Sequence, residues 1–395
     1  MKKIKFFSRK VKNLFHLLQA FIANIIYGFP SKSIKVIGVT GTDGKTTTTN
    51  LIAHILKKVG KKVSFVSTIE ARIGNKRYDT GFHVTTPSSL VIQKFLREAV
   101  IKKNDFFVLE VTSHGLDQNR VWGIDFEVGV ITNITPEHLD YHLTYKNYVK
   151  TKEKLVSMAK IGVVNSKDSS YQFLSPVSKK KSEDYSKNLP IIEKHFPHLT
   201  QFNKDNFAAA YTVGKILGLK HDAIIKAAKT FKMPKGRFQI VYDKDFKVIV
   251  DFAHTPNAFK MLLPEVRKKY LKGGRLIHVF GCAGWRDYLK RPLMGQISSQ
   301  YSDYLILTEE DYRTEDFEEI CRQIARGIKN KPYEVIKDRQ AAINRAIRMA
   351  KKGDVVLTTG KAHEKSLCRG KTEYPWDEFE AVNKALMSIS VKNRQ

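Results

Sequence analysis

One short stretch constrains this chain more than any other: Val36-Ile37-Gly38-Val39-Thr40-Gly41-Thr42-Asp43-Gly44-Lys45-Thr46-Thr47-Thr48. The β-branched run from Ile34 to Val39 predicts a strand, and Leu51, Ile52, Ile55, Leu56 and Val59 recur at helical spacing behind it. Strand, glycine loop and helix start together wrap backbone N–H groups around an anion. In that arrangement Lys45 neutralises the β- and γ-phosphates and the Thr46 hydroxyl ligates Mg²⁺. The plainer alternative is an ordinary glycine-rich βα turn, against which the Gly-Lys-Thr triplet weighs. The strict phosphate-loop spacing asks for glycine where this chain has Val39, so the loop is a variant and leaves the chemistry open.

Beyond the loop, apolar runs alternate with helical patterns. Residues 62–68, 106–111 and 128–134 read as strands, and 90–101 and 145–158 as helices. Residues 165–200 are polar and weakly periodic and read as a reduced, loop-rich segment. A second α/β pattern begins near Gly236, with strands over 248–251, 275–280, 304–308 and 355–359 and helices over 256–270 and 317–328. This alternation predicts an α/β protein: a central phosphate-loop domain with a mainly parallel sheet, then a second, Rossmann-like α/β domain. Ligand residues in such folds gather at the carboxyl ends of strands, where Glu110, Asn133, Asp251, Gly281, Glu309 and Gly360 fall.

A length of 395 residues allows two or three domains. Cys282, Cys321 and Cys368 lie far apart, which argues against a disulfide framework or zinc site and suits a reducing cytoplasm. The net charge of +30 favours anionic partners such as nucleotides, phosphorylated sugars, nucleic acid or an acidic membrane surface; a lysine-rich solvated surface is the plainer account. Met1–Lys12 is basic and Leu14–Tyr27 largely apolar, like a signal peptide in outline, but Tyr27-Gly28-Phe29-Pro30 follows in place of a small-residue cleavage site. The run is too short and interrupted to span a bilayer. The expectation is an amphipathic helix packed on the body, with membrane-surface attachment as the second reading.

Several segments, taken in order, resemble the Mur ligase family, most closely its MurE type. They are Gly41-Thr42-Asp43-Gly44-Lys45-Thr46-Thr47, Thr85-Thr86-Pro87, Glu110-Val111-Thr112-Ser113-His114-Gly115-Leu116, Thr132-Asn133, His138-Leu139-Asp140-Tyr141-His142, Phe202-Asn203 with Asn206, and Gly236-Arg237. Asp251-Phe252-Ala253-His254-Thr255-Pro256, Arg286-Asp287, Lys290-Arg291-Pro292 and Gly360-Lys361-Ala362-His363-Glu364 follow. The resemblance covers residues 34–395 and implies an ATP-dependent amide ligase of peptidoglycan synthesis. A muramoyl-peptide carboxylate becomes an acyl phosphate, and an amino acid's amine then displaces phosphate. Positioning and charge neutralisation are what phosphoryl transfer needs.

The same resemblance implies roles. Gly41, Thr42, Gly44, Lys45, Thr46, Thr47, Asn203, Asn206, Arg237 and Asp251 would hold ATP, with Lys45, Lys152 and His254 catalytic. Mg²⁺ would lie against Thr46, Glu110, His138 and Lys152. Lys152 aligns with a lysine that takes up CO₂ as a carbamate, although Lys146, Lys150, Lys152 and Lys154 also read as a solvated helix face. Imidazole is an unusual magnesium partner, so His138 on its chemistry alone is equally a loop histidine. Helix capping is the plain alternative for the two asparagines. Thr85, Thr86, Thr112, Ser113 and Arg120 would contact the muramoyl-peptide, and Arg286, Asp311, Arg313, Gly360 and Glu364 the amino acid.

Diaminopimelate-adding relatives carry Asp-Asn-Pro-Arg where this chain has Glu310-Asp311-Tyr312-Arg313. The retained Arg313 suits a distal carboxylate through bidentate pairing, which favours diaminopimelate over lysine. Three parts are expected: a basic, apolar helical segment over 1–33, an ATP-binding domain over 34–235, and a domain over 236–395 that closes over ATP. About thirty residues precede the strand at Ile34, too few for the UDP-gripping domain with which such ligases usually begin. The acceptor is therefore a UDP-muramoyl-dipeptide or a related, lipid-linked muramoyl-peptide. A cytoplasmic enzyme without nucleic-acid partners is expected. The rivals are a folylpolyglutamate-synthetase-like ligase and a non-catalytic basic protein that binds nucleotide and contacts nucleic acid or membrane.

Overall fold

In the computed structural model, residues 2–78 and 85–392 are described, and side chains from Lys12 to Ile389 within them. Of the basic stretch Met1–Lys12, Met1 and the side chains of 2–11 lie outside the described residues, as do 393–395 at the end of the expected third part. The chain divides into two compact units, Met1–Pro234 and Lys235–Gln395.

The first unit carries eight strands: β1 (Lys35–Thr40), β2 (Val63–Val66), β3 (Ala71–Ile73), β4 (Lys76–Tyr78), β5 (Phe106–Glu110), β6 (Phe126–Ile131), β7 (Ile161–Val164) and β8 (Ser182–Asp184). They form one sheet in the order β4-β3-β2-β5-β1-β6-β7-β8. All neighbours are parallel except the β2–β3 and β3–β4 pairs. Six helices matter below: α1 (Lys2–Tyr27), α2 (Lys45–Lys58), α3 (Ser89–Ile101), α4 (Ser113–Asp117), α5 (Leu139–His142) and α6 (Tyr145–Met158).

Both faces of this sheet are covered, so its central strands are apolar throughout rather than alternating. Ile37 and Val39 of β1 pack with Leu51, Ile52 and Ile55 of α2 and Phe207. Val36 faces the other way, with Phe107, Phe126 and Leu155. On that second face the sheet carries glycines where α6 crosses. A Cβ on Gly38 would lie 2.6 Å from Leu155 Cδ1, and one on Gly129 2.9 Å from the Leu155 carbonyl oxygen. The missing side chains let α6 lie close over β1 and β6, which sets the height of Lys152, one turn before Leu155.

The second unit holds β9 (Gln239–Asp243), β10 (Lys247–Asp251), β11 (Leu276–Phe280), β12 (Tyr304–Leu307), β13 (Tyr333–Val335) and β14 (Val355–Thr359), in the order β13-β12-β11-β14-β10-β9. Only β9 runs antiparallel to its neighbour. A separate hairpin pairs β15 (Ser366–Arg369) with β16 (Thr372–Pro375). Phe259, Phe280 and Leu305 fill one side of the six-stranded sheet, and Val248, Ile277 and Ile343 the other. Within the second core Arg339, fully buried, donates from Nε and Nη2 to the Glu378 carboxylate at 2.8 and 2.7 Å.

The expected α/β architecture is present. The helices Tyr145–Met158 and Pro256–Tyr270 and the strand Val355–Thr359 have the expected bounds. Several edges moved. The strand expected over 128–134 runs Phe126–Ile131, and the helix expected over 317–328 stops at Ala325. The segment 165–200 is not merely loop: it supplies β8 and the short helices Pro176–Lys180 and Leu189–His195. Serine, aspartate and asparagine side chains cap and turn this stretch, as where Ser175 accepts from Ser178 N and Asp184 from Ser186 N, and such polar capping hides periodicity.

Candidate active site

The loop between β1 and α2 is fixed by two glycines. Gly41 and Gly44 have φ of 152° and 81°. A Cβ on Gly41 would collide with Thr132 Oγ1, and one on Gly44 with Asn206 Oδ1. Neighbouring elements grip the loop from outside. Asn133 Oδ1 accepts from Asp43 N at 3.0 Å, Thr132 Oγ1 donates to the Asp43 carbonyl at 2.6 Å, and Thr42 N donates to the Asn133 carbonyl at 2.8 Å. Lys45 Nζ curls back to the Thr42 carbonyl at 2.7 Å. The cradle is thus preorganised, with a lysine at the mouth of a helix N-terminus.

Glu110 ends β5 and is buried. Its Oε1 accepts from the hydroxyls of Thr46 at 3.0 Å and Thr68 at 2.9 Å, and its Oε2 from Thr68 N at 2.8 Å. Thr68 Oγ1 also lies 3.1 Å from Thr85 Oγ1, within hydrogen-bond distance. Thr86 Oγ1 donates to the Glu110 carbonyl at 3.2 Å and accepts from Thr112 N at 2.8 Å. Thr112 caps α4 by accepting from Gly115 N, and Arg120 donates to the Thr86 carbonyl at 2.6 Å. Glu110, Thr46, Thr85, Thr86, Thr112 and Arg120 therefore form one connected patch. Thr68 is its hub, a residue the sequence reading passed over although it stands just past the end of β2.

Lys152 is only 2% exposed, and its Nζ donates to the Gly41 carbonyl at 2.7 Å. The same nitrogen sits 4.7 Å from the ring centroid of Tyr148, whose hydroxyl lies 3.3 Å from Thr42 Oγ1. Burial, and then the Lys45 charge, push the Lys152 pKa well below the ordinary lysine value. The solvated-face alternative fails for this residue, while Lys146, Lys150 and Lys154 are not among the buried side chains. His138 precedes α5 with φ of 54°, its ring 5.0 Å from that of His114 and 6.3 Å from that of Tyr148. Ser113 Oγ lies 3.1 Å from His142 Nε2.

Asn203 and Asn206 lie inside the buried face of the helix Gln201–Ile216, so neither caps it; Thr200 holds that position. Asn206 Oδ1 accepts from Thr48 Oγ1 at 3.2 Å, and its Nδ2 donates to Asn203 Oδ1 at 3.4 Å. Thr47, on the first turn of α2, is buried.

No group of three or more His, Cys, Asp and Glu side chains able to hold a metal exists among the described residues. The hydroxyl of Thr46 and the carboxylate of Glu110 are hard oxygen donors. A cation held by one carboxylate and substrate phosphates is the usual state of Mg²⁺, so these residues fit it without an all-protein cage.

The second unit has its own polar cluster. Asp251 ends β10 and accepts from Phe238 N and Ala253 N, each at 2.7 Å. The Arg237 guanidinium lies 4.6 Å from the Phe252 ring centroid and 3.2 Å from His363 Nδ1. Burial, and then Arg237, hold the His363 pKa well below that of free imidazole. His254 Nδ1 is 2.9 Å from the Phe252 carbonyl, while the His254 carbonyl accepts from Lys290 Nζ at 2.9 Å.

Further along the chain, Asp311 Oδ1 accepts from Lys361 Nζ at 2.8 Å and from Cys368 N at 3.0 Å. Lys361 also pairs with Glu364 at 2.5 Å. Arg313, at φ of 53°, donates to the Gly284 carbonyl at 2.7 Å and stands 4.0 Å from Asp311. Gly360, at φ of 102°, faces Glu310: a Cβ there would be 2.6 Å from Glu310 Oε2. Burial raises the Glu310 pKa above the ordinary carboxylate value. Arg286 is exposed on the loop after β11. Lys361, Lys290 and Glu310 were absent from the sequence-derived site. They stand in or beside quoted motifs, but only the fold shows that their charges meet.

Comparison with known proteins extends this picture. Residues 39–214 match the Mur ligase middle domain, and residues 236–362 the Mur ligase glutamate ligase domain. The chain is 36% identical over 398 residues to the UDP-N-acetylmuramoyl-L-alanyl-D-glutamate–2,6-diaminopimelate ligase of Clostridium botulinum, covering 94% of this chain and 81% of that one. It is 37% identical over 389 residues to the ligase of the same name from Aquifex aeolicus, covering 92% and 80%. A solved structure of such a ligase superposes with a TM-score of 0.58 at 27% identity, over 90% of this chain and 79% of that one. E. coli FolC in complex with ADP superposes with a TM-score of 0.67 at 20% identity, over 96% and 95%, which shows a shared fold.

Proposed function

The chain belongs to the Mur ligase family, the ATP-dependent amide ligases of peptidoglycan synthesis, and from that membership we propose that it joins diaminopimelate to UDP-muramoyl-L-alanyl-D-glutamate. The observation that carries this reading is the convergence of Lys45, Thr46, Glu110 and Lys152 on one preorganised loop.

The loop N–H groups and Lys45 hold the β- and γ-phosphates of ATP, with Gly41, Thr42, Gly44 and Thr47 shaping the cradle and Asn203 and Asn206 bracing it. Thr46 and Glu110 would hold Mg²⁺, with His138 assigned to the same cation; bound there, it would neutralise charge on the transferring phosphoryl group. The neutral amine of Lys152 takes up CO₂: its nitrogen bonds to carbon, a proton leaves, and a carbamate anion results. Thr85, Thr86, Thr112, Ser113 and Arg120 orient the acceptor so that its carboxylate oxygen attacks the γ-phosphorus and ADP departs. The amine of the amino acid then attacks the acyl phosphate carbon, and inorganic phosphate leaves with the C–O electrons.

In the second unit, Arg237, Asp251 and His254 are assigned to ATP. Arg313, Asp311, Arg286, Gly360 and Glu364 are assigned to the amino acid. Arg313 offers a planar guanidinium to the distal carboxylate of diaminopimelate. The Asp311 that replaces asparagine is already engaged by Lys361, so its charge is compensated before a substrate arrives. The two compact units serve as the central and carboxy-terminal ligase domains. No helix of the described residues is long and apolar enough to cross a membrane. From the family membership we place the reaction in the cytoplasm.

The test is phosphate release from ATP with Mg²⁺ and UDP-muramoyl-L-alanyl-D-glutamate, each candidate amino acid being added in turn. Stimulation by diaminopimelate alone is expected. Stimulation by lysine alone would overturn the specificity, and turnover with a folate acceptor instead would overturn the substrate class.

A further inference from the structure

Helix α1 sits on the first unit the wrong way round for a soluble protein. Its small and polar residues face the body. Ala20, Ala23 and Asn24 are fully buried, and Asn24 Nδ2 donates to the Trp122 carbonyl at 3.0 Å. Asn13 Nδ2 donates to Asp117 Oδ2 at 3.1 Å, and the Asn13 carbonyl accepts from Asn119 Nδ2. The apolar residues face outward: Leu14, Phe15, Leu18, Phe21, Ile22, Ile25 and Ile26 are each between 44% and 67% exposed. Steps of three and four residues put them on one side of the helix. Trp122, itself partly exposed, borders the stripe, its ring 5.9 Å from that of Phe21. A contiguous exposed apolar stripe marks an interaction surface.

Charge identifies what covers it. Ahead of the stripe the same helix carries Lys2, Lys3, Lys5, Arg9, Lys10 and Lys12, and no acidic residue occurs before Asp43. A second copy of the chain, also at +30, would bring like charges together along such a contact. No polar side chain interrupts the stripe to fix the register of a protein partner. Acidic lipid headgroups complement the cations, and acyl chains accept an apolar face without register.

We propose that α1 docks this protein onto the surface of an anionic lipid bilayer, lying in the interface with its Leu14–Ile26 stripe immersed and the positive charge of the preceding sequence drawn to headgroup phosphates. The body then hangs from the helix through Asn13, Asn24 and the 119–124 loop.

Co-sedimentation of the full chain with vesicles tests this. Binding is expected to equimolar phosphatidylglycerol–phosphatidylcholine vesicles, at least tenfold weaker to phosphatidylcholine alone, and weaker still at high salt. Leu18→Glu with Ile25→Glu should cut binding at least tenfold while the melting temperature and phosphate release on the soluble acceptor stay unchanged. Lys10→Gln with Lys12→Gln, which leaves the stripe intact, should weaken binding to the anionic vesicles alone. The proposal is overturned if the wild-type chain stays in the supernatant with anionic vesicles or if the stripe variant binds equally. A vesicle-indifferent dimer that Leu18→Glu disperses, or an acidic protein partner held by the stripe without lipid binding, would overturn it too. The vesicle-binding and melting readouts do not depend on the ligase assignment.

Discussion

Lys152 Nζ lies 2.7 Å from the Gly41 carbonyl oxygen, and this bond ties α6 to the phosphate loop. Burial, and then the charge of Lys45, lower the Lys152 pKa and so favour the free amine, the form that adds CO₂. Lys152→Ala should lower phosphate release by about 10²–10³-fold, the usual effect of removing one electrostatic stabiliser. A short carboxylic acid should restore part of the rate by placing an anion in the vacated space. Full wild-type activity in rigorously CO₂-free buffer would exclude the carbamate.

The hydroxyl of Thr46 meets Glu110 at the end of β5, and the proposed reaction has the two act together on Mg²⁺. Thr46→Val keeps the volume and removes the oxygen. The Mg²⁺ concentration for half-maximal rate should rise roughly tenfold, the equivalent of about 1.4 kcal/mol for one lost polar interaction. An unchanged magnesium titration would remove Thr46 from the site.

Gly44 combines a φ of 81° with a missing Cβ that would otherwise strike Asn206. Gly44→Ala should abolish measurable ATP binding by calorimetry. Adding Asn206→Ala relieves the collision but leaves the left-handed backbone, which costs a non-glycine residue roughly 1–2 kcal/mol. The double variant should therefore recover binding only in part. Complete recovery would show that the collision alone matters.

His278 is buried between Ser298 Oγ at 2.8 Å and Thr359 Oγ1 at 3.0 Å, and burial, then Arg339, lower its pKa to about 3. Between that value and the ordinary 6.5 the unfolded chain binds the proton and the folded chain does not, so acid favours unfolding. This histidine should remove about 1.4 kcal/mol of stability per pH unit as pH falls below 6.5, the loss levelling off near 3. Urea midpoints of wild type and His278→Gln compared at pH 7 and 5 isolate the contribution. Parallel shifts in both would contradict it.

Arg339 and Glu378 form a buried, doubly hydrogen-bonded pair, with Trp376 Nε1 donating to the same carboxylate at 2.9 Å. Arg339→Leu leaves a buried carboxylate uncompensated and should cost about 3–5 kcal/mol in denaturant unfolding. Adding Glu378→Leu should return much of that loss. A double variant no more stable than the single one would show that the pair contributes through its other contacts.

The phosphate loop was legible because its signal is local: a β-branched run, glycines at two left-handed positions and a 3.6-residue repeat lie within twenty-five residues. The helices Tyr145–Met158 and Pro256–Tyr270 were legible for the same reason. The edge strands β4, β8, β9 and β13, and the three-residue β3 next to β4, were not, because short strands at or near a sheet margin carry little periodicity. Thr68 was missed because nothing in its neighbours reveals that Glu110, forty-two residues away, ends the adjoining strand.

Residue order by itself determined the α/β alternation, the family and most of the polar groups that converge, because each is written in a motif or a repeat. The resemblance pointed to Lys152 among the lysines of α6, and the fold supplied the physical reason that it is chemically distinct. Lys146, Lys150, Lys152 and Lys154 are alike in composition, yet Gly38 and Gly129 draw the helix down so that Lys152 loses its water and meets Gly41. The fold also decided that α1 turns its apolar side outward, since an amphipathic pattern states that two faces differ and leaves to packing which one the body takes.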